Sequence, residues 1–347
     1  MHLDLPPPYP ARCSPDVDTA RAYSTGWARR VGIVGSGDPW AEIWDEQDLT
    51  DFDFGLFAAR VHPDALGARL NLIACWHTWS WYLGDLVMER FKRTRDIPGA
   101  RQFLMRLGEM REGTWKPENP AERGLADLVR RTKAEPAWVE RLAERMPNIV
   151  DDALWEIANL ATGRVPEPLD YLAMRRRVGG ALWAARLNEL VLGIDIPAEI
   201  RGTTWMQRLE EAFADVVGLH NDLVSYRRET EYEQEVSNGV VVTQAFLATG
   251  LGDAVLRTHR LLDARLELFE RLASVEVLVV LTDRRVRPAI AAVVARHIQG
   301  LRDWLAGDYE WHRETARYEP ASWQRKSPRL PVGPSGLGTS ATRPWEK

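Results

Sequence analysis

The sequence TTWMQRLEEAFADVVGLHNDLVSYRRETEYE, from Thr203 to Glu233, carries apolar residues at helical spacing and predicts a long α-helix. Asn221, Ser225 and Glu229 follow one another at four-residue steps in this helix, so an amide, a hydroxyl and a carboxylate lie in one row on a single face. Three hard oxygen donors in such a row suit Mg²⁺, which is usually shared with the phosphates of a substrate. A solvated polar face with the same residue types is the alternative, and local spacing does not separate the two.

Helix signals recur on both sides of this stretch. A first helix opens at Ser14-Pro15-Asp16 and ends at Gly32, as an N-cap residue, an early proline and a glycine stop indicate. The run 240–246 fits a strand or a helix by its period, and its helical neighbours favour a helix. Further patterns of helical period cover residues 63–92, 167–192, 252–273 and 283–318. The sequence therefore predicts an all-α fold, with one domain over residues 1–319 and a Pro/Gly/Ser-rich C-terminal tail, 320–347, that we expect to be disordered.

The composition excludes several classes of protein. The 347 residues include 45 Lys and Arg against 50 Asp and Glu, a net charge of −5, so the chain lacks the basic surface of a general nucleic-acid binder. The two cysteines, Cys13 and Cys75, lie far apart and read as free thiols of a reducing cytoplasm. The longest strongly apolar run, 275–281, is too short to span a membrane. We expect a cytoplasmic protein without a nucleic-acid partner or a membrane span.

A second acidic pair lies upstream of the amide, hydroxyl and carboxylate row. Asp85 and Glu89 are one helical turn apart and directly follow the aromatic residues Trp79, Trp81 and Tyr82. Carboxylates do not normally lie among such residues without a partner, and a metal ion or an arginine is the natural one. The alternative is an exposed helix surface with both carboxylates in water.

The segment from Asn221 to Glu229 resembles the NDxxSxxxE metal motif of bacterial class I terpene synthases. Other residues stand in the order that this family shows: Arg175, which precedes Asn221 by 46 residues, resembles its diphosphate-sensing arginine, Gly179 lies in the following effector segment, and Arg317-Tyr318 resembles its terminal pair. The resemblance covers residues 3 to 320. It implies a single-domain helical bundle around a central active-site cavity.

The resemblance also implies a reaction. An isoprenyl diphosphate, with farnesyl diphosphate as first choice before geranylgeranyl and geranyl diphosphate, would be ionised and cyclised by a monomer or homodimer with a trinuclear Mg²⁺ cluster. Arg175, Arg228, Arg317 and Tyr318 would bind the diphosphate. The expected metal ligands are Asp85, Glu89, Asn221, Ser225 and Glu229. Aromatic faces attract a carbocation, and the expected cavity residues are Trp79, Trp81, Tyr82, Trp183 and Trp311.

One motif departs from the family pattern. The first acidic motif is normally DDxxxE or DDxxD, and this chain has Gly84-Asp85-Leu86-Val87-Met88-Glu89. In the first register Gly84 replaces the leading Asp, whereas in the second Asp85 is the leading Asp. The missing carboxylate makes a non-catalytic isoprenoid-binding protein one alternative to a cyclase. A second is an enzyme that quenches the cation with water to a linear alcohol. A third is a chain-elongating prenyltransferase, which normally carries two full Asp-rich motifs, whereas the second motif here is of the Asn/Ser/Glu type and favours cyclisation.

Overall fold

The computed structural model describes residues 5–38, 41–108, 115–132, 150–178 and 180–325. Within these ranges the regular secondary structure is helical and includes no strand, which confirms the all-α prediction. The helices are α1 (Val17–Val31), α2 (Glu46–Phe52), α3 (Phe54–Val61), α4 (Gly67–Val87), α5 (Ile97–Gly108), α6 (Pro120–Arg131), α7 (150–162), α8 (Pro168–Val178), α9 (Ala181–Leu192), α10 (Ala198–Arg201), α11 (Thr204–Arg227), α12 (Gly239–Leu247), α13 (Leu251–Arg271), α14 (Val277–Asp283), α15 (Pro288–Glu314) and α16 (Pro320–Gln324).

Local chemistry explains where the main helices begin and end. The hydroxyl of Thr203 accepts a hydrogen bond from the backbone N–H of Met206 and caps α11, and Gly32 ends α1 at a φ of 82°. The run after Asn238 is helix α12, as its neighbours predicted, and Asn238 caps it. The predicted helix 167–192 is two helices, because the chain turns at Gly180 with a φ of 71°.

Two helices of the bundle change from α-helical to π-helical winding at their C-terminal ends. Helix α4 continues as a π-helical segment, Met88–Lys92, and α11 continues as another, Arg228–Glu233. A π-helical turn closes hydrogen bonds over five residues and is wider than an α-turn, so residues four apart no longer keep the α-helical phase.

Helix α15 is held close to α3. A Cβ atom at Gly307 would lie 2.2 Å from the carbonyl oxygen of Arg60, so a side chain at this position would force the two helices apart. On the same contact, Phe57 of α3 packs against Trp304 and Trp311 of α15, with ring centroids 5.7 and 4.8 Å apart. This contact fixes the face of α15 that points toward the centre of the bundle.

The helical part extends beyond the predicted domain boundary. Helix α16 occupies Pro320–Gln324, the first residues assigned to the tail, and its Trp323 is buried. Burial of this tryptophan stabilises the packing of α16 on the bundle, so the helical domain continues past the predicted start of the tail at residue 320. The remaining tail residues, 326–347, lie outside the described residues.

No single helix among the described residues is long and apolar enough to cross a membrane. One bent pair, Gly239–Leu247 with Leu251–Asp283 at an angle of 117°, reaches the required length and composition together.

Candidate active site

Helices α3, α4, α8, α9, α11 and α15 surround a cavity of about 280 Å³. One end is lined by the aromatic residues Phe57, Trp81 and Trp304. The ring centroid of Phe57 lies 6.2 Å from that of Trp81 and 5.7 Å from that of Trp304. The other end is lined by polar and charged residues of α4, α8 and α11 and of the segment after α15: Asp85, Lys92, Arg175, Asn221, Ser225, Arg228, Glu229, Glu233, Arg317 and Tyr318. The cavity therefore joins an apolar chamber to a charged mouth.

The row predicted on α11 lines this mouth. Asn221 Oδ1 accepts a hydrogen bond of 2.8 Å from Arg175, and its Nδ2 donates to the Tyr318 hydroxyl at 3.0 Å. The Ser225 hydroxyl donates to the Asn221 carbonyl at 2.6 Å, and Glu229 accepts from Asn238 at 2.9 Å. The three predicted ligands thus face one cavity.

The charge at Glu229 fits a metal ion. Burial, together with the nearby carboxylates of Asp222 and Glu233, raises the pKa of Glu229 to about 8. A divalent cation held by Asn221, Ser225 and Glu229 would restore the ionised carboxylate and use three oxygen donors of the type that Mg²⁺ prefers. The residues of α11 therefore fit such an ion.

Asp85 has a different set of neighbours. Its carboxylate accepts two hydrogen bonds from Arg317, at 2.9 and 2.5 Å, and one from the Trp44 indole N–H at 2.8 Å. Arg228 Nη2 lies 3.5 Å from both of its oxygens. Asp85 is thus the counter-ion of a buried arginine pair, and its role as a metal ligand stays a prediction.

Gly84 lies beside Asp85 and also lines the cavity. A Cβ atom built at Gly84 meets no other atom within 4 Å, so an acidic side chain there would project into open space. This geometry favours the DDxxxE register, in which Gly84 replaces the leading Asp. The carboxylate that is missing from the motif is then the one that would face the cavity.

Glu89 does not line this cavity, but together with Asp85 and Arg228 it lines a smaller neighbouring pocket, so its role as a metal ligand stays a prediction. Its carboxylate accepts hydrogen bonds from Arg93, at 3.1 and 3.0 Å, and from the Tyr232 hydroxyl at 2.9 Å. Trp81, Asp85, Met88 and Lys92 share the cavity face at helical spacing, and Glu89 follows Met88 onto the neighbouring side of the helix.

Three arginines and a tyrosine reach the charged mouth. Arg175 pairs with Asp222 at 3.0 Å, Arg228 pairs with Glu233 at 2.9 Å, and the Arg317 guanidinium lies 4.6 Å from the Phe52 ring and 4.7 Å from the Trp81 ring. Burial raises the pKa of Tyr318 to about 12, so its hydroxyl keeps its proton as a donor. The four predicted diphosphate-binding side chains therefore all line one cavity.

Two of the five aromatic residues predicted to line the cavity do so. Trp81 and Trp183 line the cavity, whereas Trp79, Tyr82 and Trp311 do not. Successive helical residues point about 100° apart, so Trp79 and Tyr82 leave the face that Trp81 occupies. The polar atoms of the three non-lining residues donate to backbone carbonyls away from the cavity, at Ala121, Ala41 and Phe52. Gly179 lies outside the described residues, and Gly180 lines the cavity.

Several lining residues have no counterpart among the sequence predictions: Phe57, His77, Lys92, Glu233, Asp308 and His312. Asp308 accepts a hydrogen bond of 2.9 Å from His220, and although burial opposes the effect, His312 and His220 lower the pKa of Asp308 to about 2. Trp304, Asp308 and His312 follow one another at four-residue steps, which is the one sequence signal that could have identified them.

Comparisons with known proteins agree with this geometry. The profile of a family described as terpene synthase family 2, C-terminal metal binding, matches residues 75–267, more than half of the chain. The matched range includes α11 with its oxygen row, and α4 from Cys75 onward.

Individual relatives and structures extend the match to nearly the whole chain. Pentalenene synthase from Streptomyces avermitilis is 27% identical over 91% of this chain and 93% of its own length. 4-epi-Cubebol synthase from Streptosporangium roseum, named as cyclising (2E,6E)-farnesyl diphosphate, is 25% identical over 94% of each chain. The crystal structure of germacradien-4-ol synthase from Streptomyces citricolor superposes with a TM-score of 0.77, 21% identity and coverage of 91% of this chain and 99% of that one. The last likeness shows the same fold.

Proposed function

The chain belongs to terpene synthase family 2, and from that premise we propose that it ionises farnesyl diphosphate with Mg²⁺ and cyclises the carbocation to a sesquiterpene, releasing diphosphate. The observation that carries the proposal is the continuity of the cavity: the oxygen row of α11 and three arginines stand at one end, and an aromatic chamber forms the other. The names of the relatives, which include a farnesyl diphosphate cyclase, support the choice of substrate.

Mg²⁺ would be held by Asn221, Ser225 and Glu229, and when bound it supplies positive charge to the oxygens of the leaving diphosphate. The chain adds its own donors there. Arg175, Arg228 and Arg317 present planar guanidinium groups that match phosphate oxygens, and Tyr318 offers a hydroxyl. These side chains stabilise the charge that develops as the C–O bond breaks.

Ion pairs fix the positions of the Arg317 and Arg228 side chains in the absence of a substrate. Arg317 is fixed by Asp85 and lies between the rings of Phe52 and Trp81, and Arg228 bridges Asp85 and Glu233. Their charge is thereby placed at the mouth before a substrate arrives, so little reorganisation is needed when the diphosphate binds.

The aromatic chamber would protect the cation. Trp81, Trp183 and Phe57 exclude water, and their ring faces attract a desolvated positive charge. The shape of this chamber would select the ring closure.

The test is a product assay. Purified protein is incubated with geranyl, farnesyl and geranylgeranyl diphosphate, with and without Mg²⁺, and the extracts are separated by gas chromatography with mass spectrometry. We expect a cyclic C15 product from farnesyl diphosphate that is absent without Mg²⁺. A product from geranylgeranyl diphosphate alone would move the proposal to a diterpene synthase, and a linear alcohol would contradict cyclisation. The assay is run under reducing conditions, because Cys13 and Cys75 are free thiols and we propose a cytoplasmic protein.

A further inference from the structure

Asn221 is the first member of the oxygen row, and its side-chain amide has two ends of nearly equal size. Only the oxygen can bind a metal ion, whereas the NH₂ group can only donate hydrogen bonds. Rotation of the amide by half a turn exchanges the two ends at little steric cost. The hydrogen-bond partners of the amide therefore decide which end is available to a metal ion.

The partners of the Asn221 amide select one orientation. Arg175 has only donors, so the oxygen of the amide, at 2.8 Å, faces its guanidinium. The amide nitrogen then lies on the opposite side, 3.0 Å from the Tyr318 hydroxyl and 3.2 Å from His312 Nε2. A hydroxyl both donates and accepts, so Tyr318 would suit either end of the amide. His312 suits only the nitrogen, provided that Nε2 carries no hydrogen.

The surroundings of His312 meet that condition. Its Nδ1 lies 2.8 Å from the backbone carbonyl oxygen of Asp308, one turn earlier on α15, and 3.4 Å from a carboxylate oxygen of the same residue. The carbonyl oxygen only accepts, so the hydrogen of the imidazole is on Nδ1, and Nε2 keeps its lone pair for the Asn221 amide. A hydrogen on Nε2 would instead point at another donor.

The imidazole of His312 is packed on several sides. Its side chain is 2% exposed, and the ring stacks on Tyr318 at a centroid distance of 5.1 Å with an angle of 15° between the planes. His220 and Trp311 meet the ring edge-on, at 4.8 and 4.9 Å. This packing stops the ring from turning over, so Nε2 stays directed at Asn221.

We propose that His312 is a positioning residue that keeps the Asn221 oxygen turned toward the metal site. Arg175 makes the same selection only while it binds that oxygen, and in the proposed function Arg175 also binds the diphosphate. His312 holds the nitrogen end whatever the oxygen binds, and Asp308 acts through it by keeping the hydrogen on Nδ1. The part of this inference that concerns the metal rests on the proposed function, whereas the tautomer does not.

The first test observes the tautomer without any turnover. Long-range proton–nitrogen correlation spectra of the full-length protein, with isotopically labelled histidine, distinguish a ring protonated on Nδ1 from one protonated on Nε2. The His312→Gln variant identifies the signals of His312 by their loss. We expect a hydrogen on Nδ1 alone. A hydrogen on Nε2, in either the other tautomer or the imidazolium, would overturn the proposal.

The second test separates positioning from packing with two variants. His312→Gln keeps a carbonyl oxygen that can accept from the Asn221 amide, whereas His312→Phe keeps a planar ring and removes the acceptor. His297→Phe is the matched control, because His297 is buried on the same helix and contacts Asn188 without lining the cavity. Mg²⁺ binding in the presence of inorganic diphosphate is measured by calorimetry. The Mg²⁺ dependence of diphosphate release from farnesyl diphosphate and the melting temperature are measured in parallel.

We expect His312→Phe to weaken Mg²⁺ binding by about tenfold, as removal of a group that orients a metal ligand does, and His312→Gln to stay within about threefold of the wild type. At saturating Mg²⁺ the Phe variant should recover most of its rate, because Asn221 itself is still present. The melting temperature should not follow this order.

The proposal fails if His312→Phe binds Mg²⁺ as the wild type does, or if His312→Gln or His297→Phe loses as much affinity as His312→Phe. A wild-type protein that shows the expected tautomer but neither binds Mg²⁺ nor releases diphosphate would instead refute the proposed function, and the role of His312 toward the metal with it.

Discussion

The two helices that face each other across the cavity mouth carry unequal chemistry. Helix α11 and the π-helical segment that continues it present an intact row, Asn221, Ser225 and Glu229, whereas α4 presents only Asp85, whose carboxylate is bound to Arg317. The position beside it, Gly84, opens on empty cavity space. The difference teaches that the two sides of the site are constrained in different ways, because α4 contributes a buried ion pair, whereas among the described residues the proposed metal ligands of the row have no arginine bound to a carboxylate.

Removing a ligand of α11 should have the largest effect. Glu229→Gln removes the negative oxygen of the row without changing its size, and we expect diphosphate release from farnesyl diphosphate to fall by about 10³-fold. The matched control is Glu231→Gln, because Glu231 is exposed and pairs with Arg227 outside the cavity. Equal rates for both variants would show that the row on α11 holds no catalytic metal.

Removing the counter-ion of α4 should act on stability as well as on rate. Asp85→Asn leaves Arg317 buried without its carboxylate, and breaking a buried pair in this way costs about 3–5 kcal/mol. We expect urea unfolding to show that loss, together with a roughly 10²-fold slower diphosphate release. A variant as stable as the wild type would mean that Arg317 does not depend on Asp85.

Adding a carboxylate at position 84 sharpens the comparison. Gly84→Asp directs an acid into the open space of the cavity, so we expect the Mg²⁺ concentration for half-maximal rate to fall by about tenfold. Gly84→Ala is the control that separates the added ligand from the gain in helix propensity. If the Ala variant improves Mg²⁺ binding as much as the Asp variant does, position 84 is not a ligand position.

Removing the second acid of α4 should have the smallest effect. Glu89 contacts Arg93 and Tyr232 outside the cavity, so Glu89→Gln should change diphosphate release by less than about threefold, because its ion pair lies away from the proposed diphosphate-binding side chains. A titration of Mg²⁺ against rate checks this. A loss as large as that of Glu229→Gln would restore Glu89 to the metal site.

The sequence predicted what local periodicity controls. The all-α class and the row on α11 follow from four-residue spacing, and the motif order pointed to Arg175, Arg228, Arg317 and Tyr318 at the mouth. Local spacing could not foresee that Glu89 pairs with Arg93 and Tyr232, or that Trp79 and Tyr82 face neighbouring elements. Those outcomes depend on how whole helices pack.

The same limit explains the residues that sequence reasoning missed. His77 reads as an ordinary core histidine, because nothing near it in sequence marks a site. Only the packing of α3 and α15 against α4 places it in the chamber beside Phe57 and Trp304. Cavity lining is a property of several distant segments together, and one segment does not encode it.

The most direct test is a titration of Mg²⁺ against the release of inorganic diphosphate from farnesyl diphosphate by the unmodified chain. We expect release that saturates with Mg²⁺ and stops when a chelator removes it, because the proposed ligands Asn221, Ser225 and Glu229 line the same cavity as Arg175, Arg228 and Arg317. Absence of release at any Mg²⁺ concentration, with the chain folded, would contradict a working site and leave a binding protein in its place.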